Sequence, residues 1–592
     1  MNHVTSLYNI SLQTICHNIK LLQSTCLKSL PPTVLIDLYE MMTEEELWDA
    51  LFTEMTDLEC LVRILRFGSN NRQKLVKVVC RLMEKLNICT TLSWLFEDFE
   101  KKNAKNFRTV VDYGILIGGL LSESGWLSDA MNILSKTFSK VKLLLTTNAS
   151  YETNLLALSC AQKLLYVQST ACCFTEAAIT TSDTLEIISR VVSNEQIKVP
   201  SALIASFYTQ MSVLHYHRSE YTLSYEWSCR ALKYLEENSP DKIVIDVLRQ
   251  AAKACVVKRK FQCANLLIKQ AVARARVVFG ETHLAYSDAL MDYGFFLLNS
   301  DSVSQSVKIY RQALEIKVQI LGTKNIFVAI AHEDLAYALY VLEYNNGRFD
   351  APLSHISICI NIMADLVKDN QLMQASAKRV KALILEEIAL DSMPPFPNSL
   401  DRKMQPMLRE SEQLHLAALS LSLETFGKNN VQTAKHYGNL GRLYQSMNQY
   451  EKAEKMHKKA IKIKSDLLGC YDYEVGLSIG HLASLYNFHM DKYDEAEELY
   501  LKSIQINLKL FGKAYSGLEY DYRGLMHIYE VTSDFEKWNK YNEIMENWKA
   551  LRIEVDGSQK PLYDDVDEDR SLEELTRKFF ELSKNEENVE LA

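Results

Sequence analysis

Two groups of residues in this 592-residue chain have the types and spacing to do chemistry, and the chemistry they suggest is non-covalent. Lys435, Asn439 and Arg442 fall at i, i+4 and i+7, one face of a helix, with His481 and Arg523 near equivalent places in the two stretches that follow. Such a set supplies donors and positive charge for an anion. Asp288, Asp292 and Asp334 offer the reverse, acceptors for a cation, at corresponding positions upstream. Catalysis has no comparable basis, because no Gly-rich phosphate loop, nucleophile elbow, pair of metal ligands at i, i+4 or kinase-type signature occurs. His436, His481 and His527 lack a nucleophile or carboxylate at fixed spacing. The expectation is a binding protein without cofactor or metal.

The elements that must position these groups are set by five glycines. Gly280, Gly322, Gly427, Gly469 and Gly512 each close a helical stretch, at intervals of 42, 42 and 43 residues within the two runs. A recurrence of that length signals two-helix units stacked into a solenoid. In one unit Tyr437, Leu440, Gly441 and Tyr444 take the spacing of the tetratricopeptide signature, continued by Tyr450, Ala453, His457 and Ala460. The next repeats it with Leu482, Ala483, Tyr486, Tyr493, Ala496, Tyr500 and Ile504. The small residue lets the second helix approach and the aromatics fill the gap. The predicted fold is all-α, a tetratricopeptide-like solenoid of eight to ten helix pairs, its period longer than the usual 34 and similar to the form seen in kinesin light chains.

Composition agrees, with 47% hydrophobic residues and only 19 Gly and 10 Pro. Four prolines (Pro394, Pro395, Pro397, Pro406) mark 391–407 as an irregular stretch, preceded by an ill-fitting segment at 375–390. Repeats at 241–550 follow a divergent helical region at 46–240 and an N-terminal box region at 1–45. Of the net charge of −9, residues 556–592 carry −7, twelve Asp/Glu against five Lys/Arg, which reads as a solvated, disordered tail. A near-neutral body has no footprint for nucleic acid. The 13 cysteines show no paired spacing, and no segment approaches the roughly 20 apolar residues of a membrane span. An intracellular, reduced protein is expected.

At the N-terminus Leu7, Ser11 and Ile15 lie at i, i+4 and i+8, an apolar helix face with a small residue at its centre. Further on, Leu30-Pro31-Pro32 fixes a helix start, followed by Val34, Leu35 and Leu38 as the next apolar face. The pair resembles the von Hippel-Lindau-type box of ubiquitin ligase receptors, in which the first element inserts its leucine into elongin C and the Leu-Pro element contacts cullin-2.

Longer blocks carry a broader resemblance: VIDVLRQAAKACVV at 244–257, NVQTAKHYGNLGRLYQSM at 430–447, GHLASLY at 480–486 and YSGLEYDYRGL at 515–525. These resemble the amyloid precursor protein-binding protein 2 family, densely from about 244 to 551. The resemblance implies a tetratricopeptide substrate receptor of a cullin-2 RING ubiquitin ligase, joined to elongin B and elongin C through Leu7, Ser11 and Ile15 and to cullin-2 through Leu30, Pro31, Val34 and Leu38. It also implies recognition of C-terminal Arg-x-x-Gly degrons. The alternative it carries is a microtubule-associated cargo adaptor for the cytoplasmic tail of the amyloid precursor. Cytoplasm and nucleus, with microtubules and the membrane periphery, are the implied locations, and homodimerisation is open. On this reading the basic set (Lys435, Asn439, Arg442, His481, Arg523) holds the degron's carboxylate and the acidic set (Asp288, Asp292, Asp334) its arginine.

Overall fold

The computed structural model describes residues 7–19, 27–67, 71–147, 150–193, 199–367, 371–391, 404–557 and 570–591. Among these residues there are 27 helices and no strand. Six helices open the chain, Leu7–His17, Pro32–Glu44, Trp48–Met55, Leu58–Phe67, Arg72–Leu86 and Ile88–Lys102. From Phe107 onward they alternate as first and second members of ten helix pairs, ending with Leu518–Val531 and Phe535–Gly557.

The five framing glycines all have positive φ, between 76° and 89°, and each donates its N–H to the carbonyl four residues back. A residue with a Cβ is strained there, so glycine is what stops each second helix on time. A second series of left-handed residues closes the turn inside the pairs: Arg259, Asp301, Asn448, Asp491 and Ser533. None is glycine, and each costs about 1–2 kcal/mol of backbone strain. Their periodicity escapes a search for glycines.

Contacts divide the chain into two compact units, the first Met1–Tyr293, Ile309–Ala331 and Asp567–Ala592, the second Gly294–Lys308 and His332–Val566. In the first unit the helices Phe107–Glu123, Tyr151–Thr170, Ser201–His217 and Asp241–Val257 pack on one another in succession, each also against its own partner. No break falls at residue 241. In the second unit the same succession links Met373–Asp391, Val431–Ser446, Tyr473–His489 and Leu518–Val531. First helices thus form a continuous wall in each unit, and their outward residues are available to a ligand.

Signature positions fill the core as the spacing predicts. In the second unit Ala483, Ala496, Tyr500 and Leu525 are completely buried, with Leu482 and Tyr486 nearly so. Each such apolar side chain contributes about 1.5–3 kcal/mol on burial. Gly441 lies against the buried His457, whose ring atoms would stand 2.7–2.8 Å from an added Cβ.

Two expectations need correction. Residues 375–390 are not ill-fitting: Met373–Asp391 is a regular first helix paired with Met404–Phe426. The frame is lost only because the connector between them is long; its residues 392–403, most of the Pro-rich stretch, lie outside the described residues. Nor is 556–592 a uniformly solvated tail. Leu572–Leu591 is a helix of the first unit, and Leu572, Leu575 and Phe579 are buried against Phe261–Phe279. Those three anchors sit at i, i+3 and i+7, an apolar stripe that average composition conceals.

Gly441→Ala is expected to destabilise the fold by about 1–3 kcal/mol, the cost of overpacking. Urea unfolding measures it, and an unchanged midpoint would show that the His457 ring yields freely.

Candidate functional site

The N-terminal helix Leu7–His17 is two-faced. Leu12 and Cys16 are buried, the helix packs on Pro32–Glu44, and the Tyr8 hydroxyl donates to Asp37 at 2.8 Å. Leu7, by contrast, is 80% exposed, Ile10 47% exposed and Ser11 exposed, with Ile15 half-buried between the faces. The Ser11 hydroxyl donates to the Leu7 carbonyl at 2.8 Å and so adds no unmet polar demand to that face.

In the second box Pro31 is exposed and Leu30 and Val34 are half-buried. Pro31 is the N-cap and Pro32 opens the helix, where a missing N–H costs nothing. Leu38 is fully buried with Leu35 and Ile36. Expected on the cullin-binding face, Leu38 is instead core, on the buried side of this helix with Leu35, Tyr39 and Met42.

On the first-helix wall of the second unit the predicted basic set is largely committed to neighbours. The Arg442 guanidinium bonds Glu386 Oε2 at 3.0 Å and Glu387 Oε1 at 3.1 Å, while Ser446 donates to Glu386 Oε1 at 2.9 Å. The Tyr340 hydroxyl donates to Glu387 at 3.3 Å. Arg442 therefore joins three first helices. It is not the free anion-binding group expected from its helix face, because its counterions come from the helix whose frame the sequence obscures. Lys435 pairs with Glu474 at 2.9 Å, and the exposed Arg523 with Glu519 at 2.6 Å on its own helix. Asn439 and His481 are half-buried on the same wall, as is Asp334 on Ile326–Glu343.

The acidic pair of the first unit is likewise neutralised. Asp292 receives Arg249 at 2.8 Å and Lys253 at 3.2 Å, and Asp288 receives Lys317 and, at 3.9 Å, Arg249. Arg249 and Asp292 are 43 residues apart, one repeat, so equivalent wall positions of successive units meet. That interval was the signal available in the sequence for Arg249; Glu386, Glu387 and Tyr340 had none.

Burial governs the titration of this wall. It raises Glu387 from the usual 4.5 to about 7 although Arg442 pulls the other way. Burial also lowers His436 and His457 to about 3 and His481 well below its ordinary value, helped at His481 by Arg442. These imidazoles are neutral at pH 7. Where thiol shifts are resolved burial moves them upward, as at Cys80, Cys89 and Cys160, so these sulfurs act as packing atoms. Among the described residues no group of three His, Cys, Asp or Glu could hold a metal ion, and no helix is long and apolar enough to cross a membrane.

Tetratricopeptide repeat sequences match at residues 407–466 and 475–514. The amyloid protein-binding protein 2 of Rattus norvegicus is 40% identical over 587 residues, 98% of this chain and 97% of that protein. That of Mus musculus is 40% identical over 579 residues, 97% and 96% of the two chains. Among solved structures, BtubC (BKLC) from P. vanneervenii aligns at a TM-score of 0.30 and 17% identity, covering 45% of this chain and 94% of its own.

Arg442→Ala leaves the Glu386 carboxylate buried without its cation and is expected to cost about 3–5 kcal/mol of stability. A wild-type denaturation midpoint would restore Arg442 to the free groove residues. Because the folded pKa of Glu387 exceeds its unfolded value, the fold takes up a proton between pH 7 and about 4.5, and this group's contribution to stability rises as pH falls. Glu387→Gln removes that contribution. From pH 8 to pH 5 wild type should gain up to about 3 kcal/mol on the variant; a pH-independent gap in urea unfolding would refute the assignment.

Proposed function

Because the chain belongs to the amyloid protein-binding protein 2 family, we propose that this tetratricopeptide protein is a non-catalytic substrate receptor of a cullin-2 RING ubiquitin ligase. The observation that carries the reading is Leu7, 80% exposed at the start of a helix that is anchored through its opposite face. A folded helix that holds a leucine in water, beside Ile10 and Ser11, is suited to insertion into a partner's pocket. Elongin C with elongin B takes that position, and Leu30, Pro31 and Val34 face cullin-2.

The repeat wall then supplies the substrate site. A C-terminal Arg-x-x-Gly degron needs donors for its carboxylate and acceptors for its arginine. With Arg442 held by Glu386 and Glu387 and Lys435 by Glu474, Asn439 and His481 offer the carboxylate uncharged donors in the second unit, and the accessible Arg523 can exchange its Glu519 pair for it. The receptor contributes proximity and no bond-making step.

A second reading comes from the relatives' name, which says that they bind amyloid protein. As an adaptor for the amyloid precursor tail the chain would use the same wall and have no need of Leu7 or Leu30. Cytoplasm and nucleus suit the first reading, microtubules and the membrane periphery the second.

Co-purification with elongin B, elongin C and cullin-2 separates them. Wild type is expected to assemble, and the Leu7→Ala, Leu30→Ala variant to lose at least about tenfold in affinity, with its thermal unfolding unchanged because neither side chain is core. No assembly by wild type would leave the adaptor reading standing.

A further inference from the structure

The helix Leu572–Leu591 lies across two second helices of the first unit, Tyr221–Lys233 and Phe261–Phe279. Three apolar anchors, Leu572, Leu575 and Phe579, are buried there. Between the helices the Ser583 hydroxyl meets the Tyr225 hydroxyl at 2.6 Å, and the Lys260 ammonium bonds the Ser583 carbonyl at 3.3 Å and its hydroxyl at 3.4 Å. Glu586 accepts from the Gln262 backbone N–H at 3.1 Å, and Lys233 stands over the Phe580 ring at 5.4 Å. Phe579 and Ser583 are one turn apart, so anchor and polar contact share a face.

We infer that the surface of Tyr225, Lys233, Lys260 and Cys263 is a receptor for an acidic amphipathic helix, and that the chain's own C-terminal helix is its releasable occupant in cis. One observation separates this helix from the core helix Asp241–Val257: among its described side chains it buries three apolar anchors, whereas Asp241–Val257 buries nine apolar residues, from Val244 to Val256. An element holding so few buried groups opens at lower free energy than the core. The helix carries more carboxylates than cations, Glu573, Glu574, Glu581 and Glu586 beside Arg577, Lys578 and Lys584, and Lys233 and Lys260 lie beneath it, with the receptor's Glu237 accepting from the Glu573 N–H.

Docking in cis is favoured because it is intramolecular: covalent linkage gives the helix an effective concentration at its own site, which offsets a weak contact. The same arithmetic makes the site exchangeable. A partner with an acidic helix bearing leucine and phenylalanine anchors at this spacing takes the surface once its concentration exceeds the effective one. Lys260, 3% exposed when covered, would return to water on release.

The test uses the full chain and a fluorescent peptide of residues 570–592. Wild type, with its site filled, should bind the peptide at least about 10²-fold more weakly than the Leu575→Asp, Phe579→Asp variant, whose own helix cannot dock. Adding Lys260→Glu to that variant should abolish binding. No binding to the double variant, with its helical circular dichroism intact, would overturn the receptor. Hydrogen exchange on wild type gives a reading that needs no variant: amides of 572–591 should exchange at least tenfold faster than those of 241–257, and equal protection would overturn release. Disulfide trapping of Tyr225→Cys with Ser583→Cys should close within one molecule; covalent dimers alone would overturn docking in cis.

Discussion

Two helices packed side by side bury the seam between them and leave flanks that only a third helix can cover. That shortfall governs the whole chain. Each pair must dock on the next, so small residues recur where helices approach, as Gly441 does against His457 and Ala483 among its buried neighbours. The walls of first helices follow from the same stacking. Equivalent positions of successive units come together, which is why Arg249 finds Asp292 one repeat later and Lys435 finds Glu474 on the next first helix.

The stacking also decides what the wall can offer a ligand. A charge on a first helix has neighbours on both sides that carry their own charges, and the nearest counterion is intramolecular. Arg442 illustrates the result. Held by two carboxylates and a tyrosine, it fixes three helices and adds to the burial that keeps His481 neutral. On the proposed reading, recognition then falls to groups such as Asn439, whose amide carries no charge to be quenched, and to residues at the accessible edge.

How far the residues foretold this differs by level. The fold was legible because Gly280, Gly322, Gly427, Gly469 and Gly512 mark the period and the tetratricopeptide positions fall inside it. The intra-pair turns were not, since Arg259, Asp301, Asn448, Asp491 and Ser533 take left-handed conformations without a glycine to announce them. At the site, Lys435, Asn439 and Arg442 share one first helix as their spacing requires, but Leu38 is core and the partners of Arg442 were not legible. A face is a local property with a period of 3.6, whereas the counterions of Arg442 lie 55 and 56 residues away, across a connector that breaks the repeat frame. The C-terminal helix was hidden for a related reason: three anchors among many carboxylates vanish in an average.

The framing glycines have a further consequence. At Gly280, Gly427, Gly469 and Gly512 an added Cβ would meet nothing within 4 Å. Space is not what excludes other residues there; the sign of φ is. The array is punctuated by handedness, so that at these positions a mirror-image alanine would read as a full stop, while an ordinary one, though it fits, would not.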